Sequence, residues 1–492
     1  MSAMDTGTNK ENIQFSHVEE ASPSMLSQAH QQFLLERHGT INLEPIPSMS
    51  PNDPLNWPQW KKLAQMFLVV LHAFMNTFAA ASLISAFAVI AKEYGVSIHK
   101  ATYLVAVQIL FLGLFPLLWN PLAERFGRQP IYLLSTFMMC VFNIAGGFCK
   151  SYGAQMATRV LFAIFACPPL GFGSAVVTEL FFTHERAQKM GWWTLMITLG
   201  IPLGPIVFGF VVEHAGLPLL FWTLAAANAV QFLAYLALRA ETLYDSRDEL
   251  DPAIAAQRPS AVSSRNALTI SEFLRPLTLF ARPRVLLPAV SYGFFFTYAN
   301  TAITVELPIL FEEKLHFNTQ QVGLQYLSVL VGAGLGEQVS GPLSDMFLTK
   351  YTKKTGRHCP EHRLWIAYIG FITSIAGIMV WGVQLDKMEH EWNITPLVGA
   401  AISNFGSQIV GTTLITYAVD CHEDLSAHIG IFVNIIRQTW AFIGPFYFPS
   451  MYESLGLIGG SGLLVGLLVV VAVAPIVVIH IRGERSRGGL NR

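Results

Sequence analysis

Twelve long apolar runs, each near the length of a membrane-crossing helix, constrain the fold of this 492-residue chain more than any other feature. A helix needs about 20 apolar residues to cross a bilayer. The runs cover residues 63–90, 101–119, 130–149, 155–180, 190–213, 218–239, 285–310, 322–344, 363–384, 394–418, 426–450 and 457–481. Because they do not alternate in polarity as the strands of a membrane barrel do, they predict an all-α polytopic protein of twelve transmembrane helices in a lipid bilayer.

Charge and motif content exclude several other classes of protein. Only 13% of residues are charged, against about 25% in soluble proteins. A net charge of −1 gives no support for nucleic-acid binding. The chain lacks a phosphate-binding G-x-x-x-x-G-K-[ST] motif, an H-E-x-x-H motif and a G-x-S-x-G motif, so we expect neither an enzyme nor a bound cofactor. In RHCPEH, Cys359 lies between two histidines, but a solvated loop is favoured over a metal site.

Lysine and arginine set the expected orientation. If the N-terminus is cytoplasmic, 24 of the 31 basic residues fall in cytoplasmic segments and five in outside loops. This asymmetry follows the positive-inside rule and predicts that both termini are cytoplasmic. No cleavable signal peptide is visible, so the first span is expected to act as an uncleaved signal anchor.

The apolar runs divide the chain into five predicted segments. Residues 1–60 form a disordered cytoplasmic tail that ends in DPLNWPQWKK, a predicted headgroup anchor. Residues 61–240 and 285–482 are two six-helix halves, separated by a charged cytoplasmic linker at 241–284 and followed by a short tail at 483–492.

A short repeat relates the two halves. NPLAE at 120–124 and GPLSD at 341–345 both follow the second span of a half and precede basic residues. The same pattern at the same topological position indicates duplication of a six-helix unit, as is common in transporters.

The motif NPLAERFGR resembles the loop signature of the major facilitator superfamily, G-x-x-x-D-R-x-G-R-R/K, with Asn120 and Gln129 as departures. The resemblance spans about 55–480 and implies two pseudo-symmetric halves and a monomer. It also implies a gating motif of Glu124, Arg125, Gly127, Arg128 and Asp345. In this interpretation the acid and the first arginine latch the halves together, and Glu124→Gln or Asp345→Asn cuts transport without affecting membrane insertion. The alternative is that the charges only anchor the loop at lipid headgroups.

Span five carries a second motif, Gly200, Gly204, Pro205 and Gly209 in TLGIPLGPIVFGF. It resembles the G-x-x-x-G-P-x-x-G-G signature of proton antiporters in the same family, with Phe208 in place of one glycine. Glycines at i and i+4 also let helices approach closely, so ordinary packing is the alternative.

Three charged residues fall within predicted spans. They are Arg159, Glu337 and Arg437. Inserting a charged residue at the centre of a membrane helix costs about 2.5–3.5 kcal/mol of free energy. A carboxylate in low dielectric takes up a proton readily, so Glu337 is a candidate for proton coupling, with a static pair to Arg437 as the alternative. Glu179, Glu213 and Glu306 lie near span ends and are expected at the interface.

Polar side chains mark a predicted substrate cavity. They are His72, Asn76, Gln108, Asn300, Asn404, Gln408, Asn434 and Gln438. Mixed with aromatic residues of spans seven and eleven, they predict an amphipathic cavity, which suits an organic substrate. Helix–helix hydrogen bonding is the alternative for each.

The leading hypothesis is a proton-coupled antiporter that exports small organic molecules. DPLNWPQWKK, ETLY after span six and PEHRLW before span nine resemble the fungal drug:proton antiporter branch, which implies the plasma membrane or else the vacuolar membrane. Uptake of a nutrient, polyamine or cation is the close alternative. A membrane enzyme or receptor is disfavoured because all outside loops are short.

Overall fold

The computed structural model describes residues 26–244, 269–355, 359–388, 391–422 and 425–488. Every regular element in these residues is a helix, and each of the twelve predicted runs coincides with a helical unit, which we call spans one to twelve. The predicted all-α polytopic architecture is therefore confirmed. Cys359 and His362 are described, but His358 of the RHCPEH stretch lies outside the described residues.

Eight of the described helices are long and apolar enough to cross a membrane. They are Gln59–Tyr94 (span one), Arg128–Gly147 (three), Tyr152–Leu180 (four), Thr183–Ala215 (five), Leu217–Leu238 (six), Pro283–Leu315 (seven), Pro360–Lys387 (nine) and Phe448–Arg482 (twelve). Ile98–Leu114 and Pro116–Phe126, bent by 44° at Phe115, form span two.

Three helical units occupy the remaining predicted positions without reaching the same apolarity. They are Thr319–Gln325 with Leu327–Thr355 (span eight), Thr395–Cys421 (ten) and Ser426–Ile443 (eleven). Each carries polar or charged side chains in its middle, such as Glu337, Asn404 and Arg437. Polar residues inside a membrane protein usually face other helices, so these units are expected to line functional surfaces.

Several spans are interrupted within their length. A 3₁₀ turn at Ile84–Ala86 breaks span one, and π-helical segments at Phe296–Thr301 and Leu468–Val473 interrupt spans seven and twelve. Pro116 follows the bend in span two, where its missing N–H leaves a gap in the helical hydrogen bonds. π-helical segments are frequent at functional sites, which draws attention to span seven.

The N-terminal segment differs from the expected disordered tail. Residues 1–25 lie outside the described residues, but 26–57 and Tyr244 belong to a compact unit of their own. Its helix Gln28–His38 is capped by Ser27, and Arg37 donates to the Asn56 carbonyl oxygen at 2.5 Å. Side-chain to backbone bonds of this kind order a polar segment that has little apolar surface to bury.

The predicted headgroup anchor is only partly exposed. Trp60 is exposed, whereas Trp57 and Lys62 are buried. The Lys62 ammonium lies 5.1 Å from the centre of the Phe182 ring, so its charge contacts an aromatic face. Within the predicted linker, 245–268 lie outside the described residues, and Ile270–Leu274 is helical. In the predicted C-terminal tail, 489–492 are not described, and the last helix continues to Gly488.

The second compact unit contains all twelve spans. We call the end of the bundle that carries residues 120–130 and 345–363 the linker end, and the end that carries 94–98 and 315–319 the distal end. The two halves contact each other mainly along two seams, one between spans five and eight and one between spans two and eleven. A site that both halves share must therefore lie along these seams.

Candidate functional site

A buried charge cluster holds the linker end of the first half. Arg128, at the start of span three, forms an ion pair with Glu179 at the end of span four. Glu241, just after span six, accepts the backbone N–H groups of Arg128 and Gln129, both at 3.0 Å. An anion at a helix N-terminus satisfies free N–H groups and complements the helix dipole. The cluster therefore ties spans three, four and six together.

Gly127 is required by this geometry. Its φ of 89° lies in the region that favours glycine, and an added Cβ would lie 2.5 Å from Oε2 of Glu241. The sequence motif thus has a structural cause, because the glycine lets the chain turn and leaves room for the carboxylate.

The two residues expected to form the latch, unlike Arg128, lie on the surface. Glu124 and Arg125 are exposed, and the Arg125 guanidinium lies 5.8 Å from the Phe126 ring centre. Charges near Glu124 belong to Arg128 and to Glu272 and Arg275 of the linker. The buried arginine of the motif is Arg128, which forms the ion pair with Glu179 in this conformation.

The second half repeats the arrangement. Arg363, at the start of span nine, donates to Asp345 and to Asp420, both at 2.6 Å, and to the Ser344 hydroxyl at 3.0 Å. Asp420 lies at the end of span ten, as Glu179 lies at the end of span four. Among the described residues, these partners of Arg128 and Arg363 belong to the same half as each arginine or directly follow that half, so each cluster stiffens its own half.

The glycines of span five let it pack closely on span one of its own half and on span eight of the other half. An added Cβ at Gly200 would meet the Thr77 hydroxyl of span one, and one at Gly204 would lie 2.7 Å from the Phe78 carbonyl oxygen. Toward the distal end, a Cβ at Gly209 would lie 2.8 Å from the Thr319 carbonyl oxygen of span eight.

The contact is reciprocal, because a Cβ at Gly323 of span eight would lie 2.5 Å from the Pro205 carbonyl oxygen. The span-five motif is therefore packed on span one by its first two glycines and on the other half by Pro205 and Gly209.

Polar and aromatic contacts reinforce the distal closure. Glu213 accepts the Thr319 backbone N–H at 3.1 Å, and His214 and Gln320 lie 3.2 Å apart. Across the other seam, the rings of Tyr103 and Phe446 stack at 4.5 Å. These contacts join the first half to the second near one membrane face.

Arg437 lies beside the seam between spans two and eleven. Its guanidinium donates to the Tyr292 hydroxyl at 3.3 Å and to Asn434 Oδ1 at 3.0 Å, and it lies 4.6 Å from the Phe296 ring centre. Asn434 in turn donates to the Leu112 carbonyl oxygen of span two at 3.2 Å. A half-buried cation among aromatic rings can hold a carboxylate, a carbonyl oxygen or an aromatic face.

Neighbouring predicted cavity residues share this seam. An added Cβ at Gly113 would lie 2.5 Å from Cβ of Gln438, so spans two and eleven touch there. Gln108, one turn away on span two, is buried with neither amide atom hydrogen-bonded. Phe294 and Trp440 pack at 4.3 Å on the adjoining surface of spans seven and eleven. The seam therefore combines one cation, free amide groups and aromatic rings.

Glu337 does not pair with Arg437, whose hydrogen bonds go to Tyr292 and Asn434. The Glu337 side chain is half-buried and lies close to Thr194 of span five, whose hydroxyl donates to the Met190 and Gly191 carbonyl oxygens of its own helix. Span ten packs behind it, since a Cβ added at Gly336 would lie 2.9 Å from Cβ of Gln408. Glu337 thus touches the opposite half along the five–eight seam.

Two of the predicted cavity residues lie inside the first half, away from the seams. His72 contacts Ser135 at 3.0 Å and packs on Tyr132 and Tyr235. Asn76 donates to the Ala166 carbonyl oxygen at 2.5 Å. These contacts join span one to spans three, four and six in this conformation, and the assignment of His72 and Asn76 to a substrate cavity stays a prediction.

Arg159 is likewise internal to the first half. It donates to Asn143 Oδ1 and to the Phe142 carbonyl oxygen, both at 3.2 Å, and lies 4.6 Å from the Phe221 ring centre. It joins spans three, four and six.

Two predicted cavity residues of the second half bond within their own helices. Asn300 accepts the Thr304 hydroxyl at 3.4 Å, and Asn404 donates to the Ala400 carbonyl oxygen.

Glu306 was expected at the membrane interface, and this expectation is wrong. Its side chain is 1% exposed, and Oε1 has no hydrogen-bond partner. The position of a residue along a span indicates its depth in the membrane but not which neighbouring helices cover its side chain. The burial of Glu306 could therefore not be predicted from the sequence. Arg363, Asp420 and Glu241 were missed for a similar reason, because their partners are distant in the chain.

A cavity of about 500 Å³ opens between the halves at the distal end. We call it the vestibule. Its lining includes Ser85, Lys92, Glu213, Glu312 and Thr319, so it carries both signs of charge.

Known proteins resemble the chain in sequence and fold. The model of the Major Facilitator Superfamily matches residues 69–445. A probable efflux pump of Aspergillus flavus, mfs2, is 26% identical, with 81% of this chain and 96% of that protein covered. Polyamine transporter 3 of Saccharomyces cerevisiae is 22% identical, with coverage of 84% and 68%. A crystal structure of a POT family transporter matches the fold with a TM-score of 0.64 at 13% identity, covering 85% of this chain and 96% of that one.

Proposed function

Because the chain belongs to the major facilitator superfamily, we propose that it is a proton-coupled antiporter that exports small amphipathic organic molecules such as drugs or secondary metabolites. Relatives named as efflux pumps support the direction of transport. We propose the plasma membrane as its location, with both termini cytoplasmic, because the basic residues are so unevenly distributed.

The proposal rests on the side chains that surround Arg437. Its guanidinium is fixed beside Phe296 and the Tyr292 hydroxyl, next to the seam with span two. A fixed cation among rings and amides binds an amphipathic organic molecule by stacking and by one polar anchor. A sugar, which needs many hydrogen bonds, fits these side chains less well.

Two kinds of contact, those within a half and those between the halves, are consistent with transport by alternating access. The Arg128 and Arg363 clusters stiffen each half, while backbone contacts at Gly209 and Gly323 close the distal end. The halves then move as bodies about the seams, and the distal contacts must separate for release on that side. Glu337 touches Thr194 across a seam, so its surroundings change during the movement, as a proton-coupling carboxylate requires.

Uptake of a polyamine or another cation is the second candidate. One relative is named polyamine transporter 3, and a buried carboxylate such as Glu306 suits an ammonium group.

Accumulation of labelled organic compounds in fungal cells without their own pumps separates the two candidates. Cells carrying the protein should accumulate less of at least one compound, and a protonophore should abolish the difference. Arg437→Gln, made at the same expression level, should lose this effect. Higher accumulation that the protonophore abolishes would show uptake and contradict the export proposal.

A further inference from the structure

Glu306 is the most deeply buried carboxylate of span seven whose role the proposed function leaves open. It follows the π-helical segment Phe296–Thr301 by five residues. With 1% exposure and no hydrogen bond to Oε1, an ionised side chain would be an isolated charge in a low-dielectric interior. Such a charge is strongly unfavourable, and a carboxylate in this position takes up a proton instead.

The described elements that pack most closely on the helix of Glu306 carry no lysine or arginine. The helix Ala302–Leu315 packs against the start of span twelve, which contributes Tyr452 and Glu453. Tyr452 is buried, and Glu453 has the same sign of charge as Glu306. Glu453 lies 3.6 Å from His99 of span two.

The other described elements packed on this helix bring aromatic and small side chains to it. Span eight contributes Tyr326, whose hydroxyl donates to the Thr304 carbonyl oxygen, and the π segment contributes Tyr298. The Ile84–Ala86 turn of span one and the Gly444–Phe446 turn hold no titratable side chain. A proton is therefore the simplest cation that neutralises Glu306.

The vestibule lies beside the same helix. Glu312, fewer than two turns beyond Glu306, lines it, and so does Ser85 of the span-one turn that packs on this helix. The Ser85 hydroxyl is buried without a hydrogen-bond partner. A water molecule reaching Ser85 from the vestibule would approach the helix that carries Glu306.

We propose that Glu306 takes up the transported proton from the distal side through the vestibule. A protonated water of the vestibule loses one O–H bond as a Glu306 carboxylate oxygen gains one, which leaves a neutral water and a neutral carboxyl group. When the distal contacts separate or close, the surroundings of Glu306 change and the proton is released. This assignment rests on the proposed function and adds the site at which the proton is loaded.

Infrared difference spectroscopy of the full chain in nanodiscs tests the assignment without a substrate. A protonated carboxyl band that persists at neutral pH should be lost in Glu306→Gln. The band should remain in Glu312→Gln, a control on the same helix that also removes an acid. Glu306→Asp should keep a band at a changed frequency, and thermal unfolding of each variant checks that it is folded.

A neutral-pH band that survives in folded Glu306→Gln would overturn the proposal, as would its loss in Glu312→Gln. The experiment is independent of transport. A band assigned to Glu306 in a protein without protonophore-sensitive accumulation would contradict the proposed antiport, and with it the transport of this proton, while showing that Glu306 itself is protonated.

Discussion

Arg128 and Arg363 hold equivalent places in the two halves, each at the start of a third span and each paired with an acid at the end of a fourth. Both pairs are partly withdrawn from water, with 7% and 10% exposure of the arginine side chains and 24% and 17% of their acidic partners. Removing one member of such a pair leaves a charge without its partner, which is more damaging than removing an exposed charge.

Arg128→Gln should therefore lower the free energy of unfolding by about 3 kcal/mol, because Glu179 loses its partner. Arg125→Gln, three residues away in an exposed position, is the matched control and should have a small effect. Thermal unfolding of the purified variants in detergent measures the difference. Equal destabilisation by both substitutions would contradict the assignment of Arg128 as the buried arginine of the motif.

Arg437→Lys tests the role of a planar cation in the seam. Lysine keeps the charge but loses stacking on Phe296 and the forked hydrogen bonds to Tyr292 and Asn434. We expect the KM for an exported compound to rise about fivefold, equivalent to about 1 kcal/mol. Initial transport rates over a range of concentrations measure it, and an unchanged KM would remove Arg437 from the binding site.

At the scale of the helices, glycine positions decide where the halves approach. Span five places Gly209 against the Thr319 carbonyl oxygen, whereas an added Cβ at Gly191 of the same span would meet nothing within 4 Å. Gly209 and Gly191 lie on the same helix, but only Gly209 is in close contact with another helix. The same substitution at both positions therefore gives a test and its control.

Gly209→Val should open the distal seam, because the new side chain overlaps span eight. Overpacking of this kind costs about 1–3 kcal/mol, enough to shift the balance between closed and open conformations. A single cysteine at Ser85 in a background without the native cysteines should then react faster with a thiol reagent. Gly191→Val should leave the rate unchanged, and equal rates in both variants would argue against closure at Gly209.

The positions of the spans could be predicted from sequence, and the pairing of side chains could not. Lipid contact demands apolar runs, so spans one and seven lie within a few residues of their predicted bounds. The partners of Arg128 are 51 and 113 residues away at Glu179 and Glu241, and no local pattern indicates them. The repeat at 120–124 and 341–345 did indicate where the charge clusters lie.

For the molecule as a whole, the two halves are joined across the seams and at the distal end, while the Arg128 and Arg363 clusters at the linker end stay within a half. A transporter that alternates between two sides must break the distal contacts once in each cycle. A covalent bond across the distal end should therefore stop transport without unfolding either half.

Cysteines at His214 and Gln320, whose side chains lie 3.2 Å apart on opposite halves, provide such a bond. In a background without the native cysteines, a short bifunctional thiol reagent should abolish transport, and a reducible form of the reagent should allow recovery. Cysteines at Lys100 and Tyr152 form the control pair, because both residues belong to the first half and the Tyr152 hydroxyl donates to the Lys100 carbonyl oxygen at 2.6 Å. Cross-linking that pair should leave transport intact. If the His214–Gln320 cross-link also left transport intact, the distal end would not open during the cycle, and alternating access about these seams would be wrong.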